Sequence, residues 1–140
     1  MTKHIILVGD SIFDNGIYVN LDEPNVTEQV QKLLEDEDQV SLLAVDGDIT
    51  VDISQQLEKL PDDATHLFIS VGGNDALKFL RAFSNPTANL GDGFHQFYGI
   101  RQEFERSYGQ MVSKVLSYDL PTTFCTIYNP CFNHSKLERV

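Results

Sequence analysis

The chain has 140 residues, the size of one domain, and 41% of them are hydrophobic, enough for one layered core. With 21 acidic against 10 basic residues the net charge is −11, which repels a phosphate backbone or an anionic membrane surface and argues against nucleic acid as a partner. No apolar segment approaches the roughly 20 residues of a membrane span, and the start lacks the apolar length and cleavage site of a signal peptide, so one soluble, cytoplasmic domain over residues 1–140 is expected.

His4 to Val8 reads HIILV and stops at Gly9, as a strand covered on both faces does. Val26, Val30, Leu33 and Leu34 then recur at helical spacing. The acidic run Glu35-Asp36-Glu37-Asp38 is expected to be a solvated turn leading into a second strand, Val40 to Val45. Ile53, Leu57 and Leu60 form a second helical stripe that Pro61 stops, and His66 to Val71 (HLFISV) is a third strand. A short helical pattern at Ala76 to Phe83 leads to the turn-rich stretch Ser84 to Gly93, long enough for a lid or a substrate wall. Phe104, Tyr108, Met111, Val112 and Val115 mark a third stripe before Pro121, and Thr122 to Tyr128 a fourth strand. Cys125 and Cys131 have no C-x-x-C pairing and read as reduced, buried thiols rather than as zinc ligands.

This alternation of strand and helix predicts the α/β class, with a parallel sheet between helices. Three special turns follow the first three strands: Gly9-Asp10-Ser11, Asp46-Gly47-Asp48 and Gly72-Gly73-Asn74-Asp75. If the strand order begins 2-1-3, the turns meet at one carboxyl edge, within a couple of strand spacings of about 4.8 Å. There the Ser11 hydroxyl could attack a carbonyl carbon while donors on either side receive the oxygen that becomes negative. Glycine at position 47 leaves its N–H open to close approach, and Asn74 offers an uncharged amide with two hydrogens. Singly, each motif reads as a common turn, a loop glycine or a helix cap. Their joint occurrence at consecutive strand ends carries the functional reading, with a pocket expected beside the Ser84 to Gly93 stretch.

GDSIFDN at Gly9 to Asn15, AVDG at Ala44 to Gly47 and ISVGGNDAL at Ile69 to Leu77 resemble the first three sequence blocks of the GDSL or SGNH hydrolase superfamily. The resemblance implies a three-layer flavodoxin-like fold, no cofactor and no metal, and hydrolysis of a small-molecule carboxylic ester of the lipase, esterase or lysophospholipase kind. It implies Ser11 as nucleophile, with the backbone N–H of Ser11, Gly47 and the Asn74 amide as the oxyanion hole. Asp10 is expected to organise the turn rather than to react.

The fourth block of that family, Asp-x-x-His, has no counterpart in the sequence. Serine needs a base to take its proton. His4 and His66 stand at strand starts, the wrong edge, His95 falls before the long helix, and His134 follows the fourth strand without the motif around it. A chain truncated before its last strand and helix is therefore expected, with an uncovered sheet edge through which copies could associate. The alternative is a non-catalytic module that binds a small ligand on the same scaffold.

Overall fold

A computed structural model of the protein describes residues 2–127. Tyr128, Cys131 and His134 lie outside the described residues. Strand β1 (His4–Gly9) is followed by helix α1 (Val26–Leu33), strand β2 (Gln39–Leu42) and helix α2 (Ile53–Leu57). Strand β3 (His66–Ser70), helix α3 (Gly73–Leu80), helix α4 (Leu90–Leu116) and strand β4 (Thr122–Phe124) complete the order. The four strands form one sheet in the order β2-β1-β3-β4, with every neighbouring pair parallel, so β1 lies between β2 and β3 as the sequence predicts.

The period of two in β1 explains both layers of core. Ile6 and Val8 project to one face and pack with Leu67, Ile69 and Val71 under Ile53 and Leu57 of α2 and Met111 and Val115 of α4. Leu7 projects to the other face with Phe13 and Ala44, against Val26 and Val30 of α1. Each fully buried Leu or Ile contributes about 1.5–3 kcal/mol relative to exposure, so this central strand holds both faces at once.

Several boundaries differ from the sequence reading, each for a local reason. The second strand ends at Leu42, because Leu43 and Ala44 both direct their N–H groups to the Leu7 carbonyl, a crowding that bends the chain out of the ladder. The helix of the second stripe stops at Leu57, after which Lys59 and Leu60 donate to Gln56 and Leu57 in tighter turns. The acidic run is solvated at Glu35 to Glu37 but not at its end. Asp38 is buried, accepts the Lys3 backbone N–H at 2.7 Å and faces the Lys3 ammonium at 3.6 Å. That backbone hydrogen bond is the first cause holding its carboxyl below the usual aspartate value.

The largest difference concerns the stretch read as a long loop. Asn89 caps a helix there, its side chain accepting the Asp92 N–H at 3.1 Å, so Leu90 to Gly93 already belong to α4 and only a short connection remains. His95 therefore sits inside α4, exposed, rather than in a loop. The aromatic side chains stitch α3 to α4. Phe79 meets Phe104 edge-on at 6.0 Å between ring centroids, and Phe83, in the short turn of helix after α3, lies 4.8 Å from Phe97.

Candidate active site

The turns after β1, β2 and β3 do open from one edge, and specific hydrogen bonds tie them together. After β1, the Asp10 carbonyl accepts the N–H groups of Phe13 and Asp14, and its carboxylate accepts that of Ile12 at 3.1 Å, so a single turn of chain winds around Asp10 and carries Ser11 outward. Asp10 is thus the organiser of the turn. Burial is the main cause of its raised pKa, with the charges of Asp75 and Asp46 adding to it and the Ile12 N–H opposing. Ser11 itself is partly exposed.

Gln56 anchors this turn from below. It lies in α2, buried, donates from Nε2 to the Gly9 carbonyl at 2.7 Å and accepts the Gly9 N–H on Oε1 at 2.8 Å. The same Nε2 donates to the Asp48 carboxylate at 2.8 Å, so one side-chain amide fixes the end of β1 to the turn after β2. Sequence reasoning missed it. The available signal was a glutamine inside the apolar stripe, three residues after Ile53 and one before Leu57.

The turns after β2 and β3 are joined directly. Asn74 Nδ2 donates to the Asp48 carbonyl at 2.9 Å, so its side chain points across to the neighbouring turn and does not cap its own helix. Asp75, buried one residue on, accepts the Thr50 N–H at 3.0 Å and the Thr50 hydroxyl at 2.8 Å. Asp75→Ala leaves both buried Thr50 donors unpaired. A loss of about 3 kcal/mol is expected, measured as a lower urea midpoint at unchanged slope.

Among the described residues, the Ser11 N–H, the Gly47 N–H and the second hydrogen of the Asn74 amide meet no acceptor. Gly47 has a φ of +87° and open space where a side chain would stand. Three unspent donors therefore remain on turns pinned by Gln56, by Asp75 and by the other hydrogen of the Asn74 amide.

Beside the Ser11 turn is a cavity of about 170 Å³, bounded by Asp10 and Ile12 on either side of Ser11, by Ser70, Val71 and Gly73, and by Cys125 to Ile127 beyond β4. Its walls are mostly apolar, and burial pushes the Cys125 thiol up from its ordinary pKa. The stretch Ser84 to Gly93, expected to form a wall, contributes nothing to this cavity, and neither do Gly47 and Asn74. The end of β4 takes that place, because the ladder carries β4 alongside β3 while the chain after Asn89 has turned into helix.

No family model and no curated relative matches the chain. Solved structures do match. The chain is similar to the lipase Lip_vut3 from a goat rumen metagenome, with a TM-score of 0.65 at 21% identity over 91% of this chain and 65% of that one. It is similar to an extracellular lipase from Streptomyces rimosus, with a TM-score of 0.59 at 14% identity over 99% of this chain and 68% of that one. Phospholipase A1 from Streptomyces albidoflavus gives a TM-score of 0.56 at 13% identity, over 94% and 64%. The fold is therefore similar to that of two lipases and a phospholipase. At such identities the likeness is one of fold, and the chain spans 65%, 68% and 64% of the lengths of those three proteins.

Among the described residues no histidine is hydrogen-bonded to Ser11. His4 and His66 begin β1 and β3, at the opposite edge from the turn, and His95 is exposed on α4. His134 lies outside the described residues.

Proposed function

We propose that the chain carries the nucleophile and the oxyanion hole of a serine hydrolase acting on carboxylic esters of the lipase, esterase or lysophospholipase kind. The observation that supports this reading best is the trio of unspent donors, on Ser11, Gly47 and Asn74, at turns tied to one another by Asn74 and Gln56. Ser11 Oγ attacks the ester carbonyl carbon and its proton passes to a base. The carbonyl oxygen takes the negative charge and is met by the Ser11 and Gly47 N–H groups and the Asn74 amide. The alcohol leaves, and water then releases the acid from the acyl-serine by the same steps. The base is assigned to a segment outside the described residues. The apolar cavity flanking Ser11 is suited to the acyl group.

A second reading, a small-ligand module that keeps the donors and lacks the base, is favoured by one observation: among the described residues no histidine is hydrogen-bonded to Ser11. The two readings separate on hydrolysis of a short p-nitrophenyl ester by the 140-residue chain and by the chain extended with whatever its reading frame encodes after Val140. Asn74→Ala is expected to lower kcat about 10²- to 10³-fold with KM little changed, since the donor acts on charge that develops only in the transition state. Hydrolysis by neither form gives the site to the binding module.

A further inference from the structure

At the sheet edge opposite Ser11, three side chains remote in sequence form a second hydrogen-bonded chain. His4, 7% exposed, places Nδ1 at 2.8 Å from Asp63 Oδ1 and Nε2 at 2.8 Å from Ser41 Oγ. The fold dictates the meeting. His4 pairs with Gln39 and Ile6 with Ser41, so His4 and Ser41 share a face on adjacent strands, one diagonal step apart. Asp63 arrives on the connection between α2 and β3, where Thr65 Oγ1 accepts the His4 N–H at 2.8 Å and fixes the backbone beneath the ring.

The polarity of this chain follows from its members. A carboxylate only accepts, so the ring nitrogen facing Asp63 carries a hydrogen, and in the neutral ring Nε2 then keeps its lone pair toward the Ser41 hydroxyl, which donates. A hydroxyl within reach of a base, with the base held in the needed tautomer by a carboxylate, is the arrangement that makes a serine nucleophilic. Ser41 is partly exposed and stands on β2, an edge strand of the sheet.

We propose that Ser41 is a second reactive serine, independent of Ser11, that is acylated or phosphonylated by small activated electrophiles. With a fluorophosphonate, Ser41 Oγ bonds to phosphorus, the phosphorus–fluorine bond breaks, fluoride leaves, and the hydroxyl proton passes to His4 Nε2. The ligand class is a small, unhindered electrophile, because the apolar cavity beside Ser11 does not extend to this edge.

The test is fluorophosphonate labelling of the 140-residue Ser11→Ala protein, with sites assigned by peptide fragmentation in a mass spectrometer. Ser41 is expected to be modified on the order of 10²-fold faster than Ser54 and Ser117, exposed serines that face no imidazole. Asp63 is largely exposed, so Asp63→Asn spares the core while releasing the ring, and it is expected to slow Ser41 about tenfold or more. Ser41 labelled no faster than Ser54, or labelled equally fast with Asp63→Asn, overturns the proposal. The comparison among serines needs no change at the three residues themselves, so it decides even where a variant fails to fold. Reaction at Ser11 in the unsubstituted protein is read at its own position, so the two serines succeed or fail separately.

Discussion

Ser11→Ala is expected to lower hydrolysis of a short p-nitrophenyl ester about 10⁶-fold in a form of the protein that carries the base, a figure taken from loss of the nucleophile in a serine protease. The residue left behind retains the three donors, so a remainder of about 10³ to 10⁴ over water is expected from the oxyanion hole and binding alone. The chain of 140 residues, assayed in parallel, is expected to be slow before any substitution. Its partly exposed Ser11 has no histidine hydrogen-bonded to it among the described residues. A rate unchanged by Ser11→Ala in an active form sinks the hydrolase reading. Full activity in the 140-residue chain that His134→Ala abolishes would instead assign the base to His134.

Gln56, Asp75 and one hydrogen of the Asn74 amide hold the turns, while among the described residues the Ser11 and Gly47 N–H groups meet no acceptor. Only one hydrogen of the Asn74 amide is committed, to the Asp48 carbonyl, which sets the direction of the other. In the proposed reaction, donors held in this way would need no rearrangement when charge develops.

Much of this arrangement was legible in the residues. HIILV announces β1 because its apolar side chains serve two faces, and the strand order 2-1-3 follows from three loaded turns needing one edge. What escaped the sequence lacked a local period. The first turns of α4 have no buried residue before Met111 and are rich in glycine, so no apolar stripe marks them, and only the Asn89 cap announces the start. Gln56 matters through a strand end 47 positions away in sequence. The link of His4 to Ser41 and Asp63 spans 37 and 59 positions and exists only once β1 and β2 are in register, so His4 read alone is simply a histidine at the start of a strand.

Gly9→Ala is expected to be the most destabilising single methyl in the sheet. Gly9 has a φ of +144°, in a region that is nearly glycine-only, and a Cβ built there stands 1.9 Å from the Ser70 carbonyl oxygen and 2.7 Å from its carbon. That obstacle is backbone on the paired strand β3 and cannot rotate away. Gly9 is in register with Ser70, and the carbonyl in question accepts the Asp10 N–H at 3.0 Å. The strands must therefore separate at the head of β1. Separation strips the Gln56 amide from both polar groups of Gly9 and disturbs Val8 and Ile69, which meet in the core just below. A loss of about 4 kcal/mol or more is expected, a large part of the roughly 5–15 kcal/mol that holds a domain together. Gly47→Ala gives the contrast, since nothing stands near its added methyl and only the positive φ opposes it, for about 1–2 kcal/mol. Urea unfolding of the two variants checks the order, with soluble yield standing in where Gly9→Ala does not fold. A Gly9→Ala midpoint equal to that of Gly47→Ala would mean that β1 and β3 do not close at Gly9, and with that closure would go the position of Ser11 two residues further on.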